Sequence, residues 1–128
     1  MRMGPMARNW WVESDEAWTA DSSGQKWHGK LLGSRVLDVA ALPGSDDCVA
    51  VLDWIDRPPG VEAWDPFANL VRASPTGEVV WAADPPKDDL KSWTAVSIHD
   101  GTVVAKAWSH RCVLDPDTGR IVGTEFTK

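Results

Sequence analysis

The sequence predicts an all-β chain: two four-stranded antiparallel meander sheets preceded by an N-terminal hairpin. Three observations lead there. Apolar runs rich in Val, Ala and Leu, such as Arg35 to Leu42, Cys48 to Ile55 and Thr102 to Trp108, are bounded by clusters of Gly, Pro, Asp and Ser, the pattern of strands between turns. The turn chemistry of RCVLDPDTGRIVGTEF, Arg111 to Phe126, returns earlier as VRASPTGEVVW, Val71 to Trp81, with Gly77 and Gly119 42 residues apart. Finally, 128 residues with 43% apolar side chains suffice for a single domain with its own core.

Taken in order, residues 1 to 8 form a flexible start, of which Met1 to Pro5 are dispensable to the fold. Residues 9 to 34 read as a hairpin turning at Asp21-Ser22-Ser23-Gly24, where Gly24 supplies a positive φ, with a short helix over Glu13 to Trp18 as the competing reading. The first repeat, residues 35 to 84, starts with strands Arg35 to Leu42 and Cys48 to Ile55 around Pro43 to Asp47. Both faces of these strands are apolar, Leu37, Val39 and Ala41 on one side and Val36, Ala40 and Leu42 on the other, so the sheet should be covered twice. Strands Asn69 to Ala73 and Glu78 to Ala83 follow around Ser74-Pro75-Thr76-Gly77, with Pro at the second turn position and Gly at the left-handed one. The second repeat, residues 92 to 128, runs Trp93 to Ile98, a turn at His99-Asp100-Gly101, Thr102 to Trp108, a turn at Ser109-His110, Arg111 to Leu114 and Arg120 to Phe126. Trp54 and Trp108 are 54 residues apart, 12 more than the glycines, which marks residues 56 to 68 as a loop inserted in the first repeat.

Composition removes several function classes. A net charge of −6 and no run of Lys or Arg argue against nucleic-acid binding and would favour a basic partner. Cys48 and Cys112 sit in apolar strands without metal or redox spacing, as small buried hydrophobes suited to a reducing compartment. The start has no apolar signal region and no stretch is long enough to span a bilayer, so the expected location is the cytoplasm, away from membranes.

Four strands per unit at a period of roughly 40 to 45 residues mark β-propeller blades. The hairpin resembles the repeat of the PQQ-like, quinoprotein-type β-propellers, Asp-x-x-Thr-Gly-x-x-x-Trp. Asp115, Thr118 and Gly119 match in the second copy, with Gly123 at the Trp position. In the first, Thr76, Gly77 and Trp81 match, with Ala73 at the Asp position; around Gly24, His28 takes the Trp position. The second half also resembles small, uncharacterised bacterial proteins carrying this repeat. The resemblance implies blades and no cofactor, because its motif residues make turns and pack sheets. Two repeats and a hairpin fall short of a ring, leaving an incomplete propeller, two sheets packed face to face, or closure by homodimerisation.

Strand direction sends the inserted loop, the 84 to 91 linker and Ser109-His110 to one end of the sheets, and the tight turns to the other. The first end is the candidate functional surface, since long loops on a rigid scaffold tend to bind. Trp54, Trp64, Phe67 and Trp108 would form its apolar patch, rimmed by Asp56, Arg57, Glu62, Asp65, Asp88 and Asp89. The alternative is that Trp64 and Phe67 only cover a sheet. No nucleophile elbow, phosphate loop or metal-ligand spacing occurs, and His110 with Asp56 or Asp65 makes a triad by inventory alone. The expected function is a non-catalytic protein-binding module, in one version an acidic inhibitor or immunity-type protein presenting the Trp-rich loop to a basic partner. A small-molecule binder or minor enzyme with a pocket of Trp54, Trp108 and His110, and a self-associating structural subunit, are the alternatives.

Overall fold

The computed structural model describes residues 8–53, 69–84, 92–107 and 110–126. Strands β1 (Asn9–Glu13), β2 (Glu16–Ala20) and β3 (Lys26–Gly29) form a first sheet of three. A second sheet of four comprises β4 (Val36–Ala41), β5 (Cys48–Leu52), β6 (Leu70–Ala73) and β7 (Val79–Ala82). The third holds β8 (Ala95–His99), β9 (Thr102–Ala107), β10 (His110–Leu114) and β11 (Ile121–Phe126). Every pairing joins strands adjacent in sequence and is antiparallel, so each sheet is a meander. The leading strands β1, β4 and β8 lie side by side without sharing a ladder, and the sheets stack in succession from that line.

The expected all-β meanders are present, with four differences of detail. Residues 9 to 34 carry one strand more than a hairpin, because Ser14 and Asp15, at φ 52° and 64°, make a two-residue turn closed by the Glu13–Glu16 pair. That geometry normally calls for Asn-Gly or Asp-Gly, so Ser-Asp does not announce it, and the competing helix over Glu13 to Trp18 does not form. A bulge between Val36 and Asp38 breaks the alternation expected of β4: Leu37 is left 51% exposed while Val36 and Val39 face the first sheet and Ala40 the third. Trp93 precedes β8 instead of belonging to it, and His110 opens β10 opposite Ala107 instead of lying in a turn. The inserted loop, residues 56 to 68, and the linker residues 85 to 91 lie outside the described residues.

The middle sheet is covered on both faces, as its composition predicts. Every residue of β5 is buried: Cys48, Ala50 and Leu52 join Ala17, Leu31, Val71 and Ala73 against the first sheet, while Val49 and Val51 join Leu70, Val103, Ala105 and Leu114 against the third. Period-two alternation thus serves two cores from one strand. Buried Asn69 ties the second core at its edge. Its Nδ2 donates to the carbonyls of Leu52 (2.8 Å) and Trp93 (2.9 Å), and its Oδ1 accepts from the Trp93 amide (2.7 Å). This clamp sets the entry to the third sheet and lets Trp93, 1% exposed, fill the core.

The turn motif appears three times, and its parts are not quite those the sequence suggests. Asp21, Ser74 and Asp115 hold the same place: each backbone N–H bonds across the turn, to Gln25, Glu78 and Arg120 respectively. Their side chains accept from amides inside it: Asp21 Oδ1 from Ser23 and Gln25 (both 2.9 Å), Ser74 Oγ from Thr76 (3.3 Å) and Glu78 (3.2 Å), and Asp115 Oδ1 from Asp117 (2.9 Å). Ser74 therefore replaces the motif aspartate, not Ala73.

On the far strand the registers Thr19–Trp27, Arg72–Trp81 and Val113–Gly123 are equivalent, so Trp27, not His28, is the motif tryptophan of the first sheet. Trp81 and Gly123 sit one residue further from their glycines because β7 and β11 each carry a bulge, which exposes Val80 and Val122.

The indoles lock sheet to sheet. Trp27 lies over Gly77 and Trp81 over Gly119, the glycine of the following sheet in each case; a Cβ on Gly77 would stand 2.5 Å from the Trp27 ring. Trp81 Nε1 donates to the Pro116 carbonyl (2.9 Å), which also accepts from Arg72 Nη1 (2.8 Å), and Arg72 Nε reaches Asp47 (2.8 Å).

Two predictions follow from this packing. Gly77→Ala meets both the ring and a φ of 87°, whereas Gly44→Ala, at φ 76°, meets open space. Urea unfolding should show a loss of about 3 kcal/mol for the first and about 1 kcal/mol for the second; equal losses would remove the interlock. Asn69→Ala leaves two carbonyls and an amide without partners and should cost about 3 kcal/mol in the same measurement, against under about 1 kcal/mol for the exposed Thr76→Ala.

Candidate binding faces

Of the surface residues singled out in the sequence, Trp54, Asp56, Arg57, Trp64, Asp65, Phe67 and Trp108 lie outside the described residues. For His110 the backbone is placed, in β10 opposite Ala107 and Phe126. The four tight turns do meet at one end. Leu42 to Ser45, Gly101, Pro116 and Asp117 line one hollow there around Arg72, whose guanidinium is held by Asp47, Pro116 and Ser45. Those bonds satisfy Arg72 within the fold, so this hollow is structural.

The described residues present two other surfaces, the outer faces of the first and third sheets. In β1 the neighbouring indoles divide: Trp10 packs into the core and donates to the Asp46 carbonyl (3.1 Å), while Trp11 faces outward. Register pairs Trp11 with Trp18 and Trp18 with His28, and the three rings stack across the strands. Centroids are 6.2 Å apart at 22° for the Trp pair and 4.0 Å apart at 12° for Trp18 and His28. His28 Nδ1 lies 2.9 Å from Glu16 Oε1, and Trp18 Nε1 donates to the Glu13 carbonyl (3.1 Å). The result is a rigid aromatic ladder on a sheet face, edged by Glu13 and Glu16. The sequence carried this signal in the spacing of Trp11, Trp18 and His28, but it becomes readable only once the Ser14-Asp15 turn sets the register.

The outer face of the third sheet is different. Ala95, Ser97, His99, Val104, Lys106 and Arg111 line an open concavity of about 400 Å³. Its floor is made of small side chains, and Gly123 stands where the other two sheets place an indole. Lys106 and Arg111 are direct cross-strand partners, both exposed.

Among the described residues no three His, Cys, Asp or Glu side chains gather as a metal site. Burial pushes the Cys48 thiol far up, away from the thiolate a nucleophile needs. Asp21 has its carboxyl held below the usual range by the Ser23 hydroxyl and the turn amides, a structural use of the charge. His99-Asp100-Gly101 is a tight turn, with Asp100 at φ 51° and Gly101 at 75°.

No family model matches the chain. No curated protein matches it either. Among solved structures the chain is similar to BamB from Moraxella catarrhalis, with a TM-score of 0.57 and 15% sequence identity over 93% of this chain. The match takes in 35% of that protein, so the chain spans about a third of its length. BamB is a PQQ-like β-propeller, and the likeness extends to successive antiparallel four-stranded sheets. In fold, then, the described residues form three antiparallel sheets that match part of a β-propeller.

Proposed function

We propose that the chain is a non-catalytic protein-binding module that works through the outer faces of its terminal sheets. The observation that carries this reading is the Trp11–Trp18–His28 ladder. Trp11 and Trp18 are half-buried at outward strand positions, and indoles so placed are usual anchors of protein interfaces. The acidic pair beside the ladder and a net charge of −6 suit a partner with a basic surface. Two buried cysteines that form no disulfide suit action in the cytoplasm. An inhibitor or immunity-type role is one form of this reading, and the Trp64 and Phe67 loop is a further contact for the same partner.

The test compares affinity capture by the wild-type chain and by Trp18→Ala, with circular dichroism confirming that both are folded. Loss of an interface anchor costs about 2 kcal/mol or more, so a specific partner retained by the wild type should be depleted on the variant. Identical sets of retained proteins would remove the ladder from the binding surface. Trp64→Ala with Phe67→Ala, assayed alongside, measures the loop's share.

A further inference from the structure

We propose that the partner of these faces is a second copy of the chain, docked head to tail, with its first sheet seated on the third sheet of its neighbour. This rests on the reading of the terminal faces as protein-binding surfaces and names what they bind.

Charge is the first argument. Glu13 faces Glu16 across β1 and β2, and Lys106 faces Arg111 across β9 and β10. Like charges directly opposite on one face of a sheet repel, and here the two pairs are of opposite sign on opposite terminal faces. Glu16 already has His28 as a neighbour at 2.9 Å, and a face of opposite sign would add a partner for Glu13 and offset the remaining repulsion in each pair. Lys26 also lies on the outer face of the first sheet, beside Ala20, and Glu125 is level with Arg111 in register, so the complementarity belongs to these two pairs and not to a uniform field.

Register is the second. The turn equivalences place Arg111 and Lys106 where the middle sheet has Leu70 and Val51, side chains that pack onto the next sheet beside Ala105, Ala107 and Cys112. The same equivalences place Trp11 and Trp18 at the level of Ala105 and Cys112, and Glu13 and Glu16 one step further along. A copy stacked in the same register would set the ladder at the level of Lys106 and Arg111 on the outer face of the third sheet. It would also bring the two glutamates to one step along from Lys106 and Arg111.

Shape is the third. The receiving face is a concavity of about 400 Å³ floored by small residues, and the entering face carries two indoles and an imidazole. Lys106 and Arg111 on its wall would meet the Trp11 and Trp18 rings as well as the carboxylates, adding a cation–π contribution. The Trp-over-Gly lock of the internal contacts is missing on both sides: Gly123 supplies no indole, and a Cβ on Gly24 would meet nothing within 4 Å. A heterologous contact of this kind closes or continues according to its rotation.

Charge reversal tests the proposal on the full chain. Light scattering and sedimentation at low salt should give a mass of two or more chains, falling toward one at high salt as screening weakens the contact. Glu13→Lys with Glu16→Lys, and separately Lys106→Glu with Arg111→Glu, should each weaken self-association on the order of a hundredfold. Mixing the two variants should restore it, because the reversed faces now match each other. Circular dichroism and melting establish that each variant is folded; Lys106→Ser with Arg111→Ser serves if a reversal is not tolerated, and should weaken association less. Unchanged mass in the variants, or a mixture that stays monomeric, overturns the proposal. A wild-type chain that is monomeric at every concentration, while Trp18→Ala still changes capture, overturns the second copy and leaves protein binding standing. A monomer with unchanged capture overturns both.

Discussion

An indole laid flat over the glycine of the next sheet is the contact on which this architecture depends. A β-sheet can cover another sheet in many registers, because dispersion between apolar faces is weakly directional. Trp27 on Gly77 and Trp81 on Gly119 remove that freedom. The ring needs a surface without a Cβ, the glycine sits in a turn that needs a positive φ, and the turn stands at a fixed distance from the strand that follows. One residue type thus meets a backbone requirement and a packing requirement at once, and the sheets are indexed to each other through it. Arg72 and the Pro116 carbonyl then neutralise the polar atoms that this close approach would otherwise strand.

The repeat was legible because its parts are chemically stringent. A side-chain acceptor at the turn start, a glycine before the last strand and a tryptophan after it leave few alternatives, and the strand pairs built on them are found where the sequence puts them. The errors came from features that cost a residue without changing composition. A bulge adds one position to β7 and β11 but not to β3, so counting from the glycine lands on His28 where the packing indole is Trp27. Ser74 replaces an aspartate because a hydroxyl oxygen can accept the same amide bonds, an equivalence in geometry that counting by residue type overlooks. Ser14-Asp15 adopts a turn whose usual composition it lacks, since the backbone ladder of β1 and β2 and the stacked indoles beyond it hold the two strands together.

The candidate surface was less legible for a physical reason. Aromatic residues among polar neighbours advertise themselves in a sequence by contrast, as Trp64 and Phe67 do. Aromatic residues on a strand look like core, and only the register separates Trp10, which packs inward, from Trp11, which does not. The described surface therefore lies on sheet faces, and the residues first singled out, from Trp54 to Phe67 and at Trp108, fall outside the described residues.

The internal and terminal faces of the sheets also follow different chemistry, and the difference has a thermodynamic logic. Where the second sheet meets the third within the chain, Val51 and Leu70 occupy the paired positions, fully buried and uncharged. At the equivalent positions of the third sheet, Lys106 and Arg111 keep the face soluble when nothing covers it. An apolar pair there would make a sticky edge in the isolated chain, whereas a charged pair permits association only with a face of the opposite sign. Glu13 and Glu16 are such a face. In the proposed docking, the substitution of charge for hydrophobe at one register position would replace a permanent contact with a conditional one, on the same blade geometry.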